Sequence, residues 1–121
     1  MKKPKKLGIW MDHNIAHLME FTNEPFEVKT IESSYAKQSN LGTTSKLKEQ
    51  HRQFKYYKKI GDVIKDYYQV ILFGPTDAKI ELFNMLSEDD RFVKIKLEIK
   101  DTEKMTRSQL HLFVTEYFSA S

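Results

Sequence analysis

YQVILFGPTDAK, residues 68–79, joins a nearly continuous apolar run to a turn and the start of a helix. An apolar run without alternation, as in residues 68–73, is typical of a central strand that is covered on both faces. Gly74 and Pro75 end this run, and a proline followed by an early aspartate favours a helix start. A buried strand that leads directly into a helix indicates an α/β domain.

The residues before this segment predict three short strands in a meander. LGIWMD (7–12) and AHLMEF (16–21) are joined by a tight turn at Asn14, because asparagine tolerates the left-handed turn conformation. FEVKTIE (26–32) alternates as a third strand after the break at Pro25. Residues 33–45 are polar and without periodicity, which predicts a mobile loop within the domain.

SKLKEQHRQFKYYKK, residues 45–59, is predicted to form a basic amphipathic helix that continues to about residue 64. Apolar side chains at three- and four-residue steps predict its buried face, made of Leu47, Phe54, Tyr57, Ile60, Ile64 and Tyr67 or Tyr68. Cations at the same steps form a separate stripe of Lys48, Arg52, Lys55 and Lys59. Tyr56 falls outside the apolar face and is predicted to lie with the charges.

Downstream of residue 79 the pattern predicts the rest of a helix, then a strand and a last helix. The first helix turns Ile80, Phe83 and Leu86 inward. FVKIKLEIK (92–100) alternates with Val93, Ile95, Leu97 and Ile99 on one face, which predicts a half-buried edge strand where Lys94 and Lys96 deter pairing with other chains. Thr106 and Gln109 have capping-box spacing and open a helix with Leu110, Phe113, Val114, Tyr117 and Phe118 inward.

The predicted order is therefore β-β-β-α-β-α-β-α, in one domain over residues 1–121. This order predicts a mixed five-stranded α/β sheet of ribonuclease-H-like type, in which the later strands run parallel to the first. The hydrophobic fraction of 40% is that of a globular protein. No segment has the apolar length of a signal peptide or a membrane span, so we expect a cytoplasmic protein without a membrane partner.

The charge distribution is more informative than the net charge of +3. Six cations cluster between residues 46 and 59, whereas acidic residues collect elsewhere, notably at 88–90. Such segregation indicates a surface that faces a polyanion, although an ordinary solvated helix face explains the same residues equally well. The chain has no cysteine, which excludes disulfides and thiolate chemistry.

Catalytic patterns are weak in this sequence. Asp12, at the end of the first strand, and Asp77 are the candidates for a Mg²⁺ site of a nuclease type, with Glu20 as a third carboxylate. A turn and a helix start explain the two aspartates as well. His13, His17, His51 and His111 lack a metal-ligand spacing. No catalytic triad or glycine-rich phosphate loop is recognisable, so we expect neither a cofactor nor an enzyme.

The element order and three of these stretches resemble a known family. The chain resembles the middle domain of the class-1 peptide-chain release factors of eukaryotes and archaea, a domain shared with Pelota and with shorter bacterial relatives. The resemblance is strongest over residues 37–100. It rests on the basic helix of 45–59, on Gly74–Leu82 as a Gly-x-x-Asp-x-Lys-x-x-Leu segment, and on the acidic stretch at 89–91. It implies a ribonuclease-H-like fold and work at the ribosome.

One departure from the family limits what the resemblance implies. Release factors carry Gly-Gly-Gln for peptidyl-tRNA hydrolysis in the loop before the basic helix, and residues 38–44, QSNLGTT, do not contain it. We therefore expect no hydrolysis, and no counterpart of the family's codon-reading and partner-binding domains.

Three hypotheses remain from the sequence. The first is a non-catalytic module that binds ribosomal or transfer RNA without DNA sequence readout, through Lys37, Lys46, Lys48, Arg52, Lys55 and Lys59. The alternatives are a small metal-dependent hydrolase or nuclease, and a self-associating domain that pairs through strand 92–100 or through exposed aromatics.

Overall fold

A computed structural model describes residues 5–22, 27–33 and 46–120, with the side chains of the first helix described from Gln50 onward. The strands are β1 (Lys6–Met11), β2 (Ile15–Glu20), β3 (Val28–Glu32), β4 (Gln69–Gly74) and β5 (Lys96–Asp101). The helices are α1 (Lys46–Ile64), α2 (Ala78–Ser87) and α3 (Arg107–Ala120). Along the chain α1 lies between β3 and β4, α2 between β4 and β5, and α3 follows β5. The predicted element order and the α/β class are thus confirmed.

The strands form one mixed sheet in the order β3-β2-β1-β4-β5. β1, β2 and β3 pair antiparallel, whereas β4 pairs parallel with both β1 and β5. The turn between β1 and β2 is held by Asp12, whose Oδ1 accepts hydrogen bonds from the backbone N–H groups of Asn14 at 2.7 Å and Ile15 at 2.8 Å. The prediction that the later strands run parallel to the first is confirmed.

The sheet is covered on both faces, and β4, which lies between β1 and β5, is buried at every residue. Val70 and Leu72 pack into a core with α1 and α2, whereas Ile71 and Phe73 pack into a second core with α3. Alternate residues of a strand point to opposite faces, so two apolar layers require a continuous apolar run. The apolar segment of residues 68–73 is explained in this way.

The inward faces of two helices differ from their predictions. In α1, Tyr56 is 1% exposed and Phe54 is 53% exposed, so the predicted assignment of these two rings is wrong. In α2, Ile80 is 40% exposed, and Ala78, Leu82 and Leu86 are buried instead. The steps from Tyr56 to Ile60 and from Ala78 to Leu82 and Leu86 are each four residues, which keeps those side chains in line along one face.

The fifth strand begins four residues later than predicted, at Lys96 instead of residue 92. Asp90–Phe92 form a single 3₁₀ turn, which Asp89 begins by accepting a hydrogen bond from the Arg91 N–H at 2.9 Å. Phe92 is buried in the core and Val93 is 79% exposed, so the alternation before residue 96 belongs to a turn. The short-range hydrogen bonds of Asp89 compete with strand pairing.

Two further predictions are confirmed, and others concern residues outside the described ranges. α3 begins with the predicted capping box, since the Thr106 N–H donates to Gln109 Oε1 at 2.8 Å and the Gln109 N–H donates to Thr106 Oγ1 at 3.2 Å. The edge position of β5 is confirmed. Residues 34–45, most of the predicted loop, lie outside the described residues, as do Phe26 and Lys37. Within the described part of the chain, no helix is long and apolar enough to cross a membrane.

Candidate nucleic-acid interface

Helix α1 is held to the sheet by one face that contains two tyrosines. Tyr56, Tyr57, Ile60 and Ile64 are buried in the core that α1 shares with α2. The Tyr56 hydroxyl donates to the Asp12 carbonyl oxygen at 3.0 Å, and the Tyr57 hydroxyl donates to Glu81 Oε1 at 2.6 Å. Burial raises the pKa of both hydroxyls far above the usual value, so they remain protonated donors. This anchoring determines which side of α1 faces the solvent.

The solvent side of α1 carries the cations. Lys55, Lys58 and Lys59 are exposed, Arg52 is partly buried, and Phe54 and His51 are exposed beside them. Of the six cations predicted to contact RNA, the structure therefore places Lys55 and Lys59 in solvent and Arg52 at the border of the buried face. Lys46 and Lys48 belong to α1, but their side chains lie outside the described ones, and Lys37 lies outside the described residues.

The basic face of α1, which is formed by the exposed Lys55, Lys58 and Lys59, meets the sheet at its β3 edge. Lys59 lines an open depression of about 460 Å³ together with Thr30, Ile31 and Glu32 of β3. β3 is the edge strand farthest from β5 in the sheet. The solvent side of α1 thus meets the β3 end of the sheet at Lys59.

A polar network that the sequence did not predict joins α1, α2 and the β1–β2 turn. Glu81 Oε2 lies 3.4 Å from His13 Nε2, while its Oε1 accepts the bond from Tyr57. Gln53 Nε2 donates to the His13 carbonyl oxygen at 3.2 Å. His13 and Glu81 are 68 residues apart, so no local pattern signals their contact. The network positions α1 and with it the basic face.

The residues of the metal hypothesis take structural roles. Asp12 Oδ1 accepts the two backbone hydrogen bonds of the β1–β2 turn, and Asp77 precedes α2, where its carbonyl oxygen accepts from the Ile80 and Glu81 N–H groups. Glu20 Oε1 accepts a hydrogen bond from the Tyr67 hydroxyl at 2.7 Å. Among the described residues, no group of three or more histidines and carboxylates is placed to hold a metal ion.

His13 and His17 both make side-chain contacts with other elements. Besides the His13 contact with Glu81, His17 Nδ1 lies 3.2 Å from Thr30 Oγ1. Burial and the nearby Arg107 charge lower the pKa of His17, so its ring is held in the neutral form. A neutral ring on the α3 side of the sheet adds nothing to the positive face of α1.

The Gly-x-x-Asp-x-Lys segment contains a buried lysine. Lys79 is 1% exposed, and its Nζ lies 2.7 Å from Asp101 Oδ1 and donates to the Thr76 carbonyl oxygen at 2.6 Å. This lysine ties the start of α2 to the end of β5. A buried ammonium requires such partners, because an unpaired charge in the interior is very costly. The lysine of the motif is therefore a structural brace between two elements in this chain.

Among known proteins, solved structures show a fold similar to that of this chain. No protein-family model and no curated protein matches the sequence. Among solved structures, the chain is similar to Pelota of Thermoplasma acidophilum, with 98% of this chain covered, 14% identity and a TM-score of 0.62. It is also similar to the archaeal translation termination factor aRF1, with 96% covered, 17% identity and a TM-score of 0.56. A translation termination-like factor of S. cerevisiae involved in RNA quality control pathways matches over 95% of this chain, with 13% identity and a TM-score of 0.54.

The described fold is thus similar to that of an α/β domain in Pelota and in an archaeal translation termination factor. The resemblance to the middle domain of release factors and Pelota is confirmed for the fold. The chain spans about a third of the length of the three proteins, namely 32%, 40% and 36% respectively. Sequence identities of this size show a similarity of the fold alone.

Proposed function

We propose that this chain is a non-catalytic RNA- or ribosome-binding domain related to translation termination and rescue factors, and that it acts in the cytoplasm. The observation that carries the proposal is the basic face of α1, where Lys55, Lys58 and Lys59 are exposed on a helix whose other side is anchored in the core. The likeness of the fold to Pelota and to an archaeal termination factor supports a partner of this class.

The basic face suits a phosphate backbone. Lysines that project from a rigid helix neutralise phosphates without reading bases, and binding of this kind weakens steeply as salt rises. Phe54 is 53% exposed and lies one helical turn before Lys58, so its ring is accessible for stacking on an unpaired base. Lys37, Lys46 and Lys48 extend this surface in the proposal, since they precede or begin α1 in the sequence.

Charge reversal on α1 tests the proposal. In a Lys55→Glu/Lys59→Glu double variant we expect cosedimentation with purified ribosomal particles to weaken at least about tenfold, and the slope of log affinity against log salt to fall by about 2. Cosedimentation is measured between about 50 and about 200 mM salt, the range over which phosphate contacts are lost. Circular dichroism checks that the helix content is unchanged.

A matched control separates the basic face from net charge. Lys94→Glu/Lys104→Glu makes the same change in charge at two exposed lysines outside α1, and we expect it to leave binding within about twofold. Equal loss in both double variants would show that overall charge alone drives the association. Unchanged binding of the Lys55→Glu/Lys59→Glu protein would contradict the proposed surface.

A further inference from the structure

The outer side of β5 carries backbone groups that no described strand pairs with. The Lys96 N–H donates to the Tyr68 carbonyl oxygen and the Thr102 N–H donates to the Gly74 carbonyl oxygen, both toward β4. Successive residues of a strand direct their backbone groups to alternate sides, so the N–H and C=O groups of Leu97, Ile99 and Asp101 point away from the sheet. Among the described residues, β5 pairs with β4 alone. Such an edge is a template for another strand.

The side chains of β5 divide by charge between the two faces of the sheet. Lys96, Glu98 and Lys100 share the α3 face, where Lys100 Nζ lies 6.0 Å from the Phe113 ring centroid. Leu97 and Ile99 share the opposite face, where Leu97 packs against the core and Ile99 is 36% exposed. One face of the strand thus alternates in charge and the other is mainly apolar.

This charge sequence matches an antiparallel copy of itself in one register. If the two-fold axis passes beside Ile99, then Ile99 lies opposite Ile99 of the second copy. Glu98 of each copy then lies opposite Lys100 of the other, which gives two pairs of opposite charge. With the axis at Glu98, Glu98 meets Glu98 and Lys96 meets Lys100. With the axis at Lys100, Lys100 meets Lys100. Opposite charges directly across antiparallel strands stabilise pairing, and like charges oppose it. The register at Ile99 is therefore selected.

The same register uses the outward backbone groups. Residues 97, 99 and 101 direct their N–H and C=O groups to the open side, and in this register they fall opposite residues 101, 99 and 97 of the copy, as hydrogen-bonded pairs. Glu98 and Lys100 then fall at the closer, non-hydrogen-bonded positions, where side chains approach most tightly. The backbone geometry is therefore compatible with the alignment that the charge pattern selects.

Apolar surface accompanies this edge. A groove of about 250 Å³ beside β5 is lined by Phe83 and Leu86 of α2, by Phe92 and Val93 of the turn and by Ile95 and Leu97, together with the polar Ser87, Asp89 and Asp90. Ile80 of α2 is 40% exposed, on the same face of the sheet as Ile99. A second copy related by a two-fold axis beside Ile99 places the two Ile99 side chains against each other, so each covers the exposed part of the other.

We propose that β5 pairs antiparallel with β5 of a second copy of this chain, about a two-fold axis at Ile99, and so joins the two sheets into one. This interface is at the opposite edge of the sheet from β3 and the basic face of α1, and it is independent of the proposed function. Lys96 and Lys100, which alone would deter edge pairing, are accommodated because Glu98 lies between them.

A charge swap tests the pairing through the mass in solution. Sedimentation equilibrium should give twice the chain mass of 14.4 kDa for the unchanged protein. Glu98→Lys and Lys100→Glu should each give the monomer mass, because like charges then face each other, and the double variant Glu98→Lys/Lys100→Glu should restore the dimer. Restoration also answers the objection that a single variant fails to fold. A chain that is monomeric up to its solubility limit, or a double variant that stays monomeric, overturns the proposal and leaves the edge to a strand of another protein.

Cysteine cross-linking tests the register, because the chain has no other cysteine. In the proposed register the Cα atoms of the two Ile99 residues are about 5.5 Å apart, which is within the range of a disulfide. Ile99→Cys should therefore cross-link under mild oxidation. Leu97→Cys is the matched control on the same face, since its counterpart lies four residues along, about 14 Å away. Cross-linking of Leu97→Cys with none at Ile99→Cys would contradict the register.

Discussion

At the scale of the residue, Gly74 determines how the central strand passes into α2. Its φ of 145° is a conformation that side chains rarely adopt. A Cβ at this position would lie 2.2 Å from the Met11 carbonyl oxygen on the neighbouring strand. Only glycine therefore allows β4 to end beside β1 and still turn toward Lys79, the buried brace to Asp101. The first residue of the Gly-x-x-Asp-x-Lys segment has a steric reason in this chain.

The alanine variant of this glycine should be markedly unstable. We expect Gly74→Ala to lower the free energy of unfolding by at least about 2 kcal/mol, from backbone strain and from the clash with backbone atoms. Urea unfolding followed by circular dichroism measures it. Gly61→Ala is the matched control: in the interior of α1 alanine gains up to about 1 kcal/mol of helix propensity. Its Cβ meets the movable Leu86 side chain at 3.2 Å, so we expect a change near zero. Equal effects at both sites would refute the steric explanation.

At the scale of the element, α1 shows how a correct helix prediction can assign a wrong face. Phe54 and Tyr56 both lie at helical spacing from other apolar residues, so periodicity accepts either ring. The structure selects Tyr56 because its hydroxyl reaches the Asp12 carbonyl oxygen at the β1–β2 turn, 44 residues away in the chain. Phe54 lies two residues earlier on the solvent side of the same helix, where its ring is 53% exposed. With Tyr56 on the buried side of α1, the cations remain exposed and the Phe54 ring lies beside them.

Alanine at these two positions should separate stability from binding. We expect Tyr56→Ala to lower the free energy of unfolding by about 3 kcal/mol, since it leaves a cavity in the core. Phe54→Ala should change stability by no more than about 0.5 kcal/mol and should weaken cosedimentation with ribosomal particles through lost stacking. Thermal unfolding and the sedimentation assay measure the two effects. A large loss of stability in Phe54→Ala would contradict the assignment of the faces.

At the scale of the whole molecule, the sheet order separates the two surfaces. β3 and β5 are the opposite edges, with the basic face of α1 beside β3 and the pairing edge at β5. Mutations at sites that share no partners have independent effects. The molecule therefore has a charged end and an end suited to pairing with a second copy.

This separation predicts that the two activities are lost independently. The Lys55→Glu/Lys59→Glu protein should keep the dimer mass in sedimentation equilibrium while its association with ribosomal particles weakens. Glu98→Lys should lose the dimer mass and keep the salt dependence of binding per chain, since that slope counts phosphate contacts. Loss of both properties in either variant would show that the two surfaces are coupled.

The element order, the parallel relation of the later strands, the capping box of α3 and the cationic helix could all be predicted from the sequence. Each rests on periodicity or on contacts a few residues apart, which local spacing encodes. Four features are visible only in the folded chain. They are the choice of buried tyrosines in α1, the contact of Lys79 with Asp101, the contacts of Glu81 with His13 and Tyr57, and the start of β5 at Lys96. These features depend on partners brought together from distant parts of the chain, and such partners leave no mark in the local pattern.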